Sequence, residues 1–266
     1  LEGRIKMKIQ FIIVGWHYNQ MEFYEGLKEM TEINDDVKVF FSCHKEPAPY
    51  ITENFDYKLF PNVGEEFVAY QQGLDYLNVD DDTICFFIHD DVIVKNWEFI
   101  NICVEKLSDG RAKFLGNCFN YPVPEFNPHT DYLKVAISEE LDGKLKPIDY
   151  ARDDSKHIFQ ESMSPTYVIR GSFICCKYSD LKAIGEFEPR KEAWVPLEWS
   201  EKHQKICYRG TTGLGSTGNM FMFMLGYKMN KVFGRESIDY LSDRYLDSDY
   251  LYEMGRGELD PHNPMR

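Results

Sequence analysis

One stretch constrains this chain more than any other: Thr83 to Glu98, TICFFIHDDVIVKNWE. The apolar run Ile84-Cys85-Phe86-Phe87-Ile88 stops at His89-Asp90-Asp91, and apolar character resumes at Val92-Ile93-Val94. A short, continuous apolar run rich in aromatic and β-branched residues predicts a buried strand. Its C-terminal end delivers two carboxylates and an imidazole. In open α/β sheets that end is where ligands sit. These groups at one point suit a hard or borderline divalent cation such as Mg²⁺ or Mn²⁺. The competing reading is a solvated acidic turn that closes a strand.

The 266 residues are 43% hydrophobic and 15% aromatic, enough for one large α/β domain or two small ones. Acidic residues number 44 against 30 basic, a net charge of −14. That excess argues against nucleic acid or an anionic membrane surface as the main partner. An anionic substrate would need local help from a metal or a few basic groups. The seven cysteines show no CxxC spacing, which predicts buried free thiols in a reducing, cytoplasmic setting. No apolar run reaches the roughly 18 residues that predict a transmembrane helix. The opening Leu1-Glu2-Gly3-Arg4-Ile5-Lys6 lacks the apolar core of a signal peptide and reads as an expression remnant before Met7.

Taken in order, 8–14 predicts a first strand ending at Gly15-Trp16-His17. Met21, Tyr24, Leu27 and Met30 mark an amphipathic helix, and 37–41 a second strand ending at Ser42-Cys43-His44. Pro47 and Pro49 predict a loop, and 57–60 a short third strand. Phe67, Tyr70, Leu74 and Leu77 share one face of a helix over 65–77. Asp80-Asp81-Asp82 reads as a solvated turn. A helix over 97–107 follows the opening strand. Alternating strands and helices predict a mainly parallel, three-layered α/β sheet. In the second half, 113–119 and 166–177 read as strands, 179–184 as a short helix, and 121–165 as irregular with a possible hairpin at Asp142-Gly143. An apolar helix over 219–225, a final strand over 227–233 and a partly helical tail from Ser237 complete the expectation. No repeat or linker divides the chain, which predicts one domain over 1–266. It comprises segments at 8–110 and 111–236 and a tail at 237–266.

The order of these features resembles the GT-A nucleotide-diphospho-sugar transferase fold, and within it the family-2-like glycosyltransferases. The resemblance is carried by the first strand and its loop, and by Asn62-Val63-Gly64 followed by Ala69-Tyr70-Gln71-Gln72-Gly73-Leu74. Phe86-Phe87-Ile88-His89-Asp90-Asp91 lies at the Asp-x-Asp position. Ile184-Gly185-Glu186-Phe187-Glu188 resembles an Ile-Gly-Gly-Phe-Asp turn, and Leu225-Gly226-Tyr227-Lys228 a later Gly-Tyr-Lys. Order and spacing agree over about 8–110 and 168–232, and the resemblance implies that 8–110 is a nucleotide-sugar-binding half and 111–236 an acceptor-binding half. The resemblance implies a Rossmann-like α/β/α sandwich, a nucleotide-sugar donor with a UDP-sugar favoured, a carbohydrate acceptor and Mn²⁺ or Mg²⁺. It places Asp91 as principal metal ligand, with His89 as a second ligand or a donor contact. Gly15, Trp16, His17, His44, Asn62, Gln71, His89 and Asp90 become the candidate donor-binding residues.

The chain also departs from that pattern. His89 replaces the first Asp of Asp-x-Asp, and Gln71 replaces an Asn. Inverting members place a Glu-Asp pair before the helix leading to Gly-Tyr-Lys, where Leu214-Gly215 stands here. The general base that would take the acceptor's proton is therefore sought elsewhere. Glu198, flanked by Trp194 and Trp199, is the first candidate, since aromatic faces pack on sugar faces. Glu201, Asp153 and Asp154 are rivals, and core or lid packing is the alternative role for the tryptophans. His129, His157, His203 and His262 are each weaker candidates for a metal shell. Gly213-x-Gly215-x-x-Gly218 follows no strand of a βαβ unit, so it reads as a loop near the donor phosphates and not as a dinucleotide fingerprint. Two other functions compete with glycosyl transfer. A sugar-1-phosphate nucleotidyltransferase needs a basic Gly-rich loop after the first strand, which Gly15-Trp16-His17-Tyr18-Asn19 does not supply. A non-catalytic carbohydrate-binding protein on a transferase fold would explain the missing Glu-Asp pair.

Overall fold

A computed structural model describes residues 7–61, 65–118, 169–187, 197–200, 205–208, 225–226, 228–229, 232–242 and 247–254. The first half alternates as the sequence predicts. It runs β1 (Ile9–Gly15), α1 (Met21–Ile33), β2 (Val37–Cys43), α2 (Pro49–Asn54), β3 (Asp56–Leu59), α3 (Glu65–Tyr76), β4 (Ile84–His89), β5 (Val92–Val94) and α4 (Phe99–Ser108). The second half supplies β6 (Phe114–Cys118), β7 (Phe173–Lys177), α5 (Tyr178–Ala183), β8 (Leu197–Ser200), β9 (Lys205–Tyr208), β10 (Ile238–Ser242) and β11 (Leu251–Glu253).

One sheet takes strands from both halves, in the order β10-β6-β7-β4-β1-β2-β3. β7 runs antiparallel to both its neighbours, β4 and β6, and the other pairings are parallel. Alternate side chains enter two separate cores, because successive residues of a strand face opposite sides. Phe11, Ile13, Phe41, Phe86 and Ile88 pack with Phe23, Tyr24 and Leu27 of α1, Ile51 of α2 and Phe99 and Cys103 of α4. Ile12, Val14, Cys85 and Phe87 pack on the other side with Phe67, Tyr70 and Leu74 of α3 and Leu181 of α5. The result is the expected three-layered α/β/α arrangement around a mainly parallel sheet. Cys43, Cys85, Cys103, Cys118, Cys175 and Cys176 are all free and buried. Asp80 and Asp81 ion-pair with the exposed Lys8 and Lys182, so that acidic turn is solvated. Among the described residues no helix is long and apolar enough to cross a membrane.

Three elements differ from the sequence expectation. Pro49 opens α2 at its first turn, where a missing N–H costs nothing, so the proline pair marks a helix start within the expected loop. Lys228, Met229, Val232 and Phe233 are helical where a strand was expected. Leu225, Met229 and Phe233 recur every four residues, a helical spacing, and Phe233 lies against Phe114, ring centroids 6.0 Å apart. The described part of the tail beyond Ser237 forms strands where part-helix was expected, with β10 joining the sheet parallel to β6 and β11 pairing antiparallel with β5. The expected irregular region at 121–165, its Asp142-Gly143 hairpin, most of the 219–225 helix and the Gly213–Gly218 loop lie outside the described residues.

Candidate functional site

Register places the site. Ile9 pairs with both Val37 and Ile84, so β1, β2 and β4 finish together: Gly15 lies beside Cys43, and Val14 beside His89. The loops after these strands, at Trp16, His44 and Asp90, therefore gather on one sheet edge. β7 is antiparallel with Phe173 opposite Ile88, so its start, Arg170-Gly171-Ser172, reaches the same edge. β11 adds a third approach, since Glu253 pairs with Val92 immediately after Asp91.

Asp91 is the centre of the cluster. His89 Nδ1 lies 3.6 Å from its Oδ1, and His17 Nε2 lies 3.8 Å from its Oδ2. Burial pushes the Asp91 carboxyl up, but His89 and His17 outweigh it and hold the group below the usual carboxylate range. Burial likewise pushes His89 down, and the carboxylates of Asp91, Glu66 and Asp90 reverse the effect, raising its pKa to about 9. His89 Nε2 is buried and finds no hydrogen-bond partner among the described residues.

Asp90 has a different task. It is 1% exposed, and its Oδ2 accepts the backbone N–H of Trp16 at 2.8 Å, His17 at 2.7 Å and Tyr18 at 2.9 Å. Burial pushes this carboxyl up, and the amides of Tyr18 and Trp16 oppose that. Trp16 itself is 40% exposed beside the cluster. His44, at the end of β2, is buried and donates from Nε2 to Gln72 Oε1 at 2.7 Å.

The structure does not bring Gln71 to this edge cluster. Its amide donates to Asp75 Oδ1 at 2.9 Å and Glu186 Oε2 at 2.7 Å, and its Oε1 accepts the Phe187 N–H at 3.0 Å. It pins the turn after α5, where Glu186 holds a positive φ of 54° and Tyr178 donates to its other oxygen at 2.8 Å. Asn62 lies outside the described residues. Glu198 sits on β8 in a separate two-stranded hairpin with β9, opposite Cys207, and its side chain lies outside the description. The structure thus gathers Gly15, Trp16, His17, His44, His89, Asp90 and Asp91 and leaves Gln71 apart.

Four further residues meet at this edge. Gln72 was one position from the sequence candidate; a step of about 100° on a helix separates the edge-facing amide from the buried one. Glu66 packs against Gly171, where any side chain would collide with it: a Cβ there would lie 2.6 Å from Glu66 Cγ. Arg170 Nε lies 2.9 Å from the buried Glu253 Oε2, a charge contact between β7 and the tail. Burial pushes the Glu253 carboxyl up, while Arg170 and His89 oppose it. No local pattern marks Glu253, because the contact joins segments more than 80 residues apart.

Fold and site together define a class: an α/β/α protein with a carboxylate–imidazole cluster at the C-terminal edge of a mainly parallel sheet. Neither a protein-family model nor a curated protein matches the sequence. Among solved structures the chain is similar to glucosyl-3-phosphoglycerate synthase from Mycobacterium tuberculosis in complex with uridine diphosphate. That match has 11% identity and a TM-score of 0.48, over 91% of this chain and 73% of that one. A mannosyltransferase from Pyrobaculum calidifontis in complex with GDP-mannose and Mn²⁺ gives 13% identity and a TM-score of 0.36, over 68% and 47%. Mannose-6-phosphate isomerase from Helicobacter pylori gives 13% and 0.37, over 76% and 86%.

Proposed function

We propose that this chain is a glycosyltransferase that moves a sugar from a nucleoside diphosphate donor, a UDP-sugar first, to a hydroxyl of a carbohydrate acceptor, with Mn²⁺ or Mg²⁺ at Asp91. The observation that carries the reading is the meeting of Asp91, His89 and His17 at the edge where three parallel strands end. Glu66, Asp90 and Asp91 surround His89, a local concentration of carboxylates at the strand end. Among the described residues no three or more His, Cys, Asp or Glu are placed to hold a metal ion by themselves. A cation at this point would be held by Asp91 with one histidine and completed by substrate oxygens, the usual arrangement where phosphates share the metal. When bound, the cation would neutralise charge on the leaving diphosphate. The chain's own residues supply the rest: Trp16 and His17 wall the site on one side, and Arg170 brings a guanidinium to it on the other. Glu198 remains the first candidate for the proton acceptor.

The test is a thermal-shift screen of UDP-, GDP- and dTDP-sugars with and without Mn²⁺, followed by an assay for nucleoside diphosphate release. Metal-dependent stabilisation by at least one donor, with turnover, is expected. A flat response to every donor would sink the reading.

A further inference from the structure

The middle acid of His89-Asp90-Asp91 is spent on the protein's own backbone. One oxygen of Asp90 accepts three consecutive amides, which fills its acceptor capacity and leaves nothing on that atom for a ligand. Three successive N–H groups converging on one carboxylate is the backbone arrangement known as an anion nest. Here the protein supplies the anion itself. The loop is secured at other points too. Tyr18 holds a φ of 53°, its ring folds back over Gly15 and its hydroxyl donates to the Lys45 carbonyl at 2.8 Å. Asp90 N–H donates to the Val14 carbonyl at 3.3 Å, and His44 N–H to the Gly15 carbonyl at 3.2 Å. With its amides committed to Asp90, the loop keeps the Trp16 side chain exposed and carries His17 Nε2 to 3.8 Å from Asp91.

We infer that Asp90 is a positioning residue: through the amides of Trp16, His17 and Tyr18 it sets His17 against Asp91 and fixes Trp16 as the wall that receives the donor's nucleotide. The inference rests on the proposed donor site and extends it. Asp90 Oδ2, filled by those amides, offers nothing to a ligand, and the loop after β1 forms part of the cation and nucleotide site. Groups that orient a ligating residue change affinity by about 10- to 100-fold when removed.

The experiment measures Mn²⁺ and UDP binding by calorimetry on the full chain. Asp90→Ala should weaken Mn²⁺-dependent UDP binding by about tenfold or more. Asp90→Asn keeps an oxygen able to accept the same amides and should stay within about threefold of the unaltered protein. Rescue by asparagine separates positioning from a need for charge. Because Asp90→Ala removes a buried group and can unfold the chain, His17→Ala is the second variant. It alters an exposed loop side chain and should reproduce the loss with the circular dichroism spectrum unchanged. Asp90→Ala that folds and binds normally, or His17→Ala with unaltered affinity, would overturn the inference while leaving the donor site standing. An unaltered protein that takes up neither Mn²⁺ nor UDP would overturn both.

Discussion

At the scale of single residues, position within one motif separates three tasks. His89 and Asp91 face each other across the site, while Asp90 between them turns into the β1 loop. Asp91→Ala should abolish the Mn²⁺-dependent part of nucleoside diphosphate binding, read by calorimetry; unchanged metal dependence would remove Asp91 from the site. Gln71 gives the opposite prediction. Gln71→Ala strips a bond from the buried Phe187 N–H and should cost about 1–3 kcal/mol of stability in urea unfolding. UDP affinity should not change. The sequence made the cluster at 89–91 legible because an apolar run broken by acids reports a strand end directly. It set Asp91 apart as the metal ligand but did not show Asp90 anchoring the β1 loop, which depends on amides more than 70 residues away. Nor could it separate Gln71 from Gln72, because one helical step decides which amide meets His44 and which meets Glu186.

Elements were legible where their period was long and their cores two-sided. β1, β2 and β4 announce themselves by apolar runs that both helical layers then cover. Short elements were not. β11 has three residues, and its strand character comes from pairing with β5. Met229 and Phe233 are helical although their apolar surroundings in sequence also suit a strand, and Phe233 packs against Phe114. Packing between elements also fixes Gly26 in α1. A Cβ there would lie 2.2 Å from Cζ2 of Trp97, whose ring stacks on Phe23 at 6.0 Å. Alanine gains about 1 kcal/mol of helix propensity but forces the indole out of place. Overpacking of this kind reaches about 3 kcal/mol, so Gly26→Ala should destabilise by about 2 kcal/mol, seen as a lower urea midpoint. In a Trp97→Leu background the same change should turn stabilising; persistence of the penalty would mean that the indole is not its cause.

Across the whole molecule, the tail acts as a clasp on the site. Ser248 Oγ donates to Asn117 Oδ1 at 2.7 Å and accepts the Leu251 N–H at 2.9 Å, Leu251 is fully buried, and Lys95 ion-pairs with Asp247. Together these contacts hold β11 on β5, directly beyond Asp91. Removing residues 247–266 should lower the unfolding temperature and weaken Mn²⁺ uptake together. A truncated chain that keeps full metal affinity would show the clasp to be structural alone.

The single reversed strand has a consequence of another kind. β6 ends at Cys118 on the site's edge and β7 begins at Phe173 on that same edge. Ile169 already touches Gly116, its Cγ2 3.2 Å from where a Cβ would stand. Everything between departs from and returns to one place, so the sheet is indifferent to how much chain is spliced there. Doubling such a loop adds only about 0.6 kcal/mol of closure entropy. Replacing 121–165 with a short Gly/Ser linker should leave UDP binding intact and abolish transfer to the acceptor. On the proposed function the framework would work like a socket, with donor binding in the strands that end at Asp91 and acceptor choice in an exchangeable cartridge.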